Sequence, residues 1–198
     1  RSPEYCLEHP DEAYRVNALA GQTLARAVDA AGAFLLHVST DYVFDGVRPP
    51  FREDDLPRPV NLYGRTKLAG EFAARSARRH LSLRIPALWR TDLGDSRNVG
   101  AEFSRWLRAG ETRVMDAETG RYYTLADDVA RAIRFCLEMD VQGILHVTAE
   151  QKTTKAAFAR QLARALGGRA DQVQEGPAPT TGDARPLDSH LSCETYKR

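Results

Sequence analysis

The sequence predicts an α/β fold built on a doubly wound parallel sheet, followed by a smaller α/β unit. Three observations carry this. Residues up to about 88 alternate helix, strand, long loop, helix, strand, which is the order that right-handed crossovers on a parallel sheet require. The run Ala33 to Ser39 is almost continuously apolar, as a strand covered on both faces reads. Between that strand and the next helix lie about 20 residues, Asp41 to Val60, where roughly 2–6 are usual. Long loops at the carboxyl ends of parallel strands are where open α/β sheets hold ligands.

Arg1 opens a segment that reads as loop. Glu8-His9-Pro10-Asp11 then reads as a helix start, with Pro and acids in the first turn. That helix runs to about Ala31 with Val16, Ala20, Leu24, Ala27 and Val28 on one face, and Gly32 stops it. After the strand and its loop, a helix is expected from about Tyr63 to Arg79. The strand Leu81 to Ile85 follows, closed by Pro86. Further on, the pattern predicts a helix over Val99 to Ala109 carrying Phe103, Trp106 and Leu107, and a strand over Thr112 to Met115. A helix over Leu125 to Met139 turns Val129, Ile133, Cys136 and Leu137 inward, and Ile144 to Val147 is a short strand. Thr154 caps a helix that reaches Leu166 and ends at Gly167. The Pro- and Gly-punctuated stretch from Ala170 to His190 reads as loop.

The 198 residues are 42% hydrophobic and 28% charged, enough to bury a core. A formal net charge of +1 gives no electrostatic case for nucleic acid or an anionic membrane as partner. No stretch approaches the roughly 18 apolar residues of a membrane span. Three cysteines, Cys6, Cys136 and Cys193, are an odd number without a close pair. They speak against a disulfide framework and a metal site, and fit a cytoplasmic setting.

The chemistry concentrates in Asn61-Leu62-Tyr63-Gly64-Arg65-Thr66-Lys67-Leu68-Ala69-Gly70-Glu71. Tyr63 and Lys67 stand four apart on a helix and share a face. A phenol with a pKa of about 10 is a poor acid or base at neutral pH, and a nearby ammonium favours its ionised form. Such a pair can protonate a carbonyl oxygen as hydride arrives, or deprotonate an alcohol in reverse. Ser39 and Thr40 end the buried strand, where a hydroxyl can hydrogen-bond a substrate carbonyl.

Taken together, Ser39-Thr40-Asp41-Tyr42-Val43-Phe44-Asp45-Gly46, Pro49-Pro50-Phe51 with Glu53 and Asp55, and Pro59-x-Asn61-x-Tyr63-Gly64-x-Thr66-Lys67-Leu68-x-Gly70-Glu71 resemble the dTDP-4-dehydrorhamnose reductase family of extended short-chain dehydrogenases. They are also similar to the related regulatory beta subunits of methionine adenosyltransferase. Shorter matches are Asn17, placed where the superfamily links a helix Asn to the catalytic water network, Arg84-Ile85-Pro86, Asp116 with Arg121 and Thr124, and Arg185-Pro186-x-Asp188-Ser189. The resemblance implies a Rossmann-like domain and reduction of a 4-keto-6-deoxy sugar nucleotide by NADPH or NADH, as in dTDP-rhamnose biosynthesis. Tyr63 would be the general acid, Lys67 would hold the nicotinamide ribose, and Thr40 would orient the ketone with Ser39 as helper. Pro86 would lie beside the nicotinamide. Val43, Phe44 and Arg185 would join Thr40 and Tyr63 at the sugar nucleotide. Alternatives are a regulatory subunit without catalysis, and an epimerase or dehydratase of the same superfamily.

The same resemblance divides the chain. Residues 1–88 would form the C-terminal half of the dinucleotide-binding domain with the catalytic residues. Residues 89–198 would be mainly substrate-binding, with 112–138 returning partly to the first domain. The glycine-rich turn that grips the pyrophosphate in this family has no counterpart here, since Gly21, Gly32 and Gly46 are too far apart. The first strands of an incomplete sheet are therefore expected to be missing, and this polypeptide alone is expected to bind NAD(P)H poorly and to be inactive. Its exposed sheet edge leaves room for pairing, including a homodimer. Trp89-Arg90 and Tyr122-Tyr123-Thr124 depart from the family near the sugar side, so the sugar is left open.

Overall fold

The computed structural model describes residues 3–92, 98–179 and 182–196. A helix, α1 (Pro3–Glu8), occupies the opening segment expected as loop. Then come α2 (Pro10–Tyr14), a π-helical turn at Arg15–Leu19 and α3 (Ala20–Ala30), where one uninterrupted helix was expected. Along the chain follow β1 (Leu35–Thr40), α4 (Leu62–Ala74), β2 (His80–Ile85), β3 (Leu88–Trp89), α5 (Val99–Arg108), β4 (Arg113–Asp116), β5 (Thr124–Leu125), α6 (Ala126–Glu138), β6 (Gly143–His146), α7 (Lys155–Ala165) and β7 (Val173–Gly176).

The π turn explains why the inward face of the first helices differs from the predicted one. A wider turn absorbs an extra residue and shifts the phase of the pattern. Ala13, Ala18 and Ala25 face inward, while Val16 and Leu24 are half exposed, at 50% and 53%. The neighbouring helix leaves room only for small side chains. A Cβ on Gly21 would stand 3.0 Å from the Ala73 Cβ, and one on Gly70 only 2.3 Å from the Asn17 carbonyl oxygen.

Strands β1, β2 and β6 form a parallel sheet in the order β1-β2-β6, with Thr40 opposite Ile85 and Ser39 opposite Arg84. The two-sided burial expected for the first strand is not found. It lies at a sheet edge among the described residues, and Val38 is 40% exposed. Helix α4 packs on β1, and α6 sets Val129, Ala132 and Cys136 against Leu81, Leu83, Ile85 and Leu145 of the sheet. Leu137, expected inward, is half exposed. Helix α4 stops at Ala74, short of Arg79, as Ser76 Oγ donates to the Ala73 carbonyl at 2.6 Å and satisfies an end group of the helix.

A second core gathers α5, α7, β4 and β7, with Phe103, Trp106, Met115 and Val173 at its centre. Strand β7 corrects the loop expected over Ala170 to His190: it pairs in parallel with β4, Arg113 opposite Val173. The short pair β3 and β5 joins Leu88 to Thr124. Among the described residues, no helix is long and apolar enough to cross a membrane.

Candidate active site

The carboxyl ends of β1 and β2 open onto a cleft of about 370 Å³ lined by Ser39, Thr40, Asp41, Tyr63, Lys67 and Pro86, among others. Each side chain arrives for a local reason. Thr40 ends β1, and its Oγ1 accepts from the Tyr42 amide at 3.2 Å, starting the single turn Asp41–Val43. Asn61 caps α4 by accepting from the Gly64 amide at 2.7 Å, which fixes the first turn carrying Tyr63. Gly64 is required there, because a Cβ would stand 2.2 Å from the Tyr42 carbonyl oxygen. Tyr42 and Tyr63 meet edge to face with ring centroids 5.9 Å apart.

Tyr63 and Lys67 therefore face the same cleft, with Thr40 lining it beside them. The expected acidification of Tyr63 by Lys67 is not found. Burial pushes the phenol up to about 12, the Thr40 hydrogen bond opposes it, and Asp41, Cys6 and Tyr42 push it further. The Lys67 ammonium instead donates to the Val38 carbonyl at 2.5 Å, and burial lowers its own pKa. Asp41 is buried, and burial pushes its carboxyl up to about 6 even though Ser189 Oγ donates to it at 2.5 Å and Thr40 Oγ1 at 3.1 Å.

Beneath the cleft lies a buried ion pair that sequence reasoning missed. Arg84 of β2 forks onto Glu71 of α4, Nε to Oε1 at 3.0 Å and Nη2 to Oε2 at 2.8 Å. Ser39 Oγ donates to the same carboxylate at 2.5 Å. Arg84 Nη1 also faces His146 Nε2 at 3.3 Å, and the Glu53 side chain accepts from the His146 amide at 3.1 Å. This network ties β1, α4, β2, β6 and the long loop together under the site. An arginine within the strand Leu81-Ser82-Leu83-Arg84-Ile85, which is otherwise uncharged, is the signal that could have revealed it.

Not every expected site residue faces the cleft. Val43 and Phe44 are fully buried, in a core where Phe44 stacks on Phe51 at 4.3 Å beside Leu191, so they support the loop and do not line the site. Ser39 lines the cleft, but its hydroxyl is committed to Glu71. Arg185 is ion-paired with Glu4 of α1. Asn17 donates to Thr66 Oγ1 at 2.9 Å and holds the π turn against α4. Asp41 and Arg121 line the cleft without having been assigned a role.

The parallel sheet and the Tyr63–Lys67 pair at its carboxyl end define a Rossmann-like protein of the short-chain dehydrogenase/reductase type. Residues 2–198 match the model of the RmlD substrate binding domain, and the chain belongs to that family. It is 34% identical to methionine adenosyltransferase 2 subunit beta of Bos taurus over 98% of this chain and 60% of that protein. It is also 34% identical to a dTDP-4-dehydrorhamnose reductase of Sinorhizobium fredii, over 96% of this chain and 68% of that protein. The dTDP-4-dehydrorhamnose reductase of Bacillus anthracis, solved in complex with NADP, superimposes with a TM-score of 0.91 at 25% identity, covering 98% of this chain and 69% of that one. The chain thus spans about 60% of the length of the methionine adenosyltransferase beta subunits it matches.

Solved structural neighbours hold NADP or NAD. The cleft residues fit one end of such a cofactor. Lys67 has three ammonium donors and spends one on Val38, which leaves donors for a ribose hydroxyl beside Tyr63 and Pro86. For the other end, no glycine-rich strand-to-helix turn exists among the described residues. The glycines with left-handed backbone sit elsewhere, as at Gly32 and Gly46.

Proposed function

We propose that the protein reduces the ketone of a nucleotide sugar, of the 4-keto-6-deoxy class, with Tyr63 as proton donor. The observation that carries this reading is the convergence of Thr40 from β1 and Tyr63 with Lys67 from α4 on one cleft. Tyr63 binds the carbonyl oxygen, and Thr40 joins it by turning its single hydroxyl proton from Asp41 to the substrate. A phenol pushed up to about 12 stays protonated at neutral pH, which suits a donor in the reducing direction. The alkoxide that forms is more basic than the phenolate, so the proton moves downhill. A bound nicotinamide cofactor supplies the hydride, and Lys67 with Tyr63 would hold its ribose. The test is turnover of a dTDP-4-keto-6-deoxy sugar by the full gene product, followed through NADPH absorbance. Tyr63→Phe is expected to cut kcat about 10²- to 10⁴-fold without changing the melting temperature. Absence of turnover in the unsubstituted protein, or full activity in Tyr63→Phe, would overturn the reading.

One observation favours a second reading, in which the fold serves as a regulatory subunit. Identity to the Bos taurus beta subunit equals that to the Sinorhizobium fredii reductase, and Lys67 engages a backbone carbonyl in place of acidifying Tyr63. Co-purification with a methionine adenosyltransferase catalytic subunit, unaffected by Tyr63→Phe, would support it over catalysis.

A further inference from the structure

The C-terminal segment reaches back to the cleft through one side chain. Ser189, 2% exposed, donates its Oγ proton to Asp41 Oδ2 at 2.5 Å, across 148 residues of sequence. The backbone around it is clamped from two sides. The Gly120 amide donates to the Leu187 carbonyl at 2.7 Å, and the Phe51 amide of the long loop to the His190 carbonyl at 2.7 Å. Gly46 of the same loop lies so close that a Cβ there would stand 2.8 Å from the Pro186 Cβ. The other carboxylate oxygen, Asp41 Oδ1, accepts from Thr40 Oγ1 at 3.1 Å, and Thr40 Oγ1 accepts from the Tyr42 amide at 3.2 Å. A threonine hydroxyl has one proton. While Asp41 is ionised it takes that proton, and Thr40 offers the cleft an acceptor and no donor.

We propose that Ser189 and Asp41 are positioning residues for Thr40, and that one proton taken up by Asp41 on Oδ1 turns Thr40 from an acceptor into a donor towards the ketone. Asp41 lines the cleft, so the proton comes from solvent there. Ser189 holds Oδ2 as an acceptor, which leaves Oδ1 to take the proton and donate it to Thr40 Oγ1. The threonine proton then points into the cleft, and no charge-assisted hydrogen bond has to break when the ketone binds. Burial brings this within reach of neutral pH, since it pushes the Asp41 carboxyl up to about 6. The charged and ionisable groups around Asp41 are Arg121 ahead of β5, Tyr63 of α4 and Tyr42 of its own turn. Cys6 of α1 acts on Tyr63, and Glu4 and Arg185, paired with each other, act on Tyr42. Arg121 keeps its charge, and burial pushes both phenols upward, Tyr63 to about 12. The effect on turnover rests on the reductase reading above, while the coupling of the three side chains does not.

NMR titration of the ligand-free chain reads the coupling without turnover. The Asp41 carboxyl carbon and the Tyr42 amide, which donates to Thr40, are expected to titrate with one midpoint. Ser189→Ala and Thr40→Val each remove a donor to the carboxylate, so each raises that midpoint by about 1–2 pH units. Ser189→Thr keeps the hydroxyl and restores it, which a packing effect would not do. The pH profile of kcat/KM for keto-sugar reduction by the full gene product reads the consequence. The unsubstituted protein is expected to slow about 10- to 100-fold as Asp41 ionises. In Asp41→Asn the amide donates to Thr40 at every pH, so the fall disappears and the variant outruns the unsubstituted protein by about that factor near pH 8. An Asp41 midpoint unmoved in Ser189→Ala and Thr40→Val, a fall that persists in Asp41→Asn, or an Asp41→Asn rate lowered equally at all pH would overturn the proposal. Raised midpoints without turnover at any pH would leave the coupling standing and remove the reductase reading. Turnover with unmoved midpoints would do the reverse.

Discussion

Replacing Glu71 with Gln tests how the site is supported. The Glu71 and Arg84 side chains are 0% and 1% exposed, so neither can turn to water. The glutamine is nearly isosteric, but it leaves the Arg84 guanidinium buried without a counter-charge and sets an amide N–H group against one of its donors. Breaking a buried pair in this way costs about 3–5 kcal/mol. Domains of ordinary stability have only about 5–15 kcal/mol in total. At a urea slope of about 2–3 kcal/mol per molar, the unfolding midpoint falls by about 1–2 M. Far-UV circular dichroism and the fluorescence of Trp89 and Trp106 would follow it. The double variant Glu71→Leu with Arg84→Met removes both charges and recovers most of the loss, because desolvation of the pair no longer has to be offset. A midpoint shift below about half a molar in the single variant, or a double variant that only sums the single losses, would refute the reasoning.

Other expectations follow from the same geometry. Gly64→Ala drives a Cβ into the Tyr42 carbonyl 2.2 Å away and into Pro59 at 2.9 Å, so it costs about 1–3 kcal/mol and lowers the melting temperature by about 3–10 °C in a calorimetric scan; an unchanged transition would contradict it. His146 is buried, and its pKa is lowered from 6.5 to about 4 chiefly by burial, with Arg84 adding to the effect against Glu53. Its contribution to stability is therefore full above pH 6.5 and is lost as pH falls toward 4. Asp41, raised by burial from 3.8 to about 6, works in the opposite sense: its contribution is full below 3.8 and is lost as pH rises through 6. Asp41→Asn removes that opposition, so its urea midpoint drops more steeply between pH 6.5 and 4 than that of the unsubstituted chain. A parallel pair of pH curves would show that Asp41 titrates normally.

Local chemistry made much of this protein legible in advance. Apolar periodicity placed the strands His80–Ile85 and Gly143–His146 and the helices α4 to α7 to within a few residues, because burial of one face leaves its period in the sequence. Thr154 marked its helix start for the same reason: a cap needs a particular oxygen at a particular place. Tyr63, Lys67 and Thr40 stood out through the family motif they sit in, since the bare Tyr-x-x-x-Lys spacing and a strand-end hydroxyl are common by themselves. Their state could not be read this way. Whether Lys67 acidifies Tyr63 depends on which neighbour its ammonium meets, and the nearest is the Val38 carbonyl, 29 residues away in sequence. The inward face of the first helices hinged on a π turn fitted to Gly70 and Ala73 of a distant helix. Strand β7 exists because β4 lies beside it, and its own residues carry little periodicity. Glu71, Arg84, Ser39 and His146 form one network only after four strands and helices have been brought together, since burial and pairing are properties of neighbours and not of spacing.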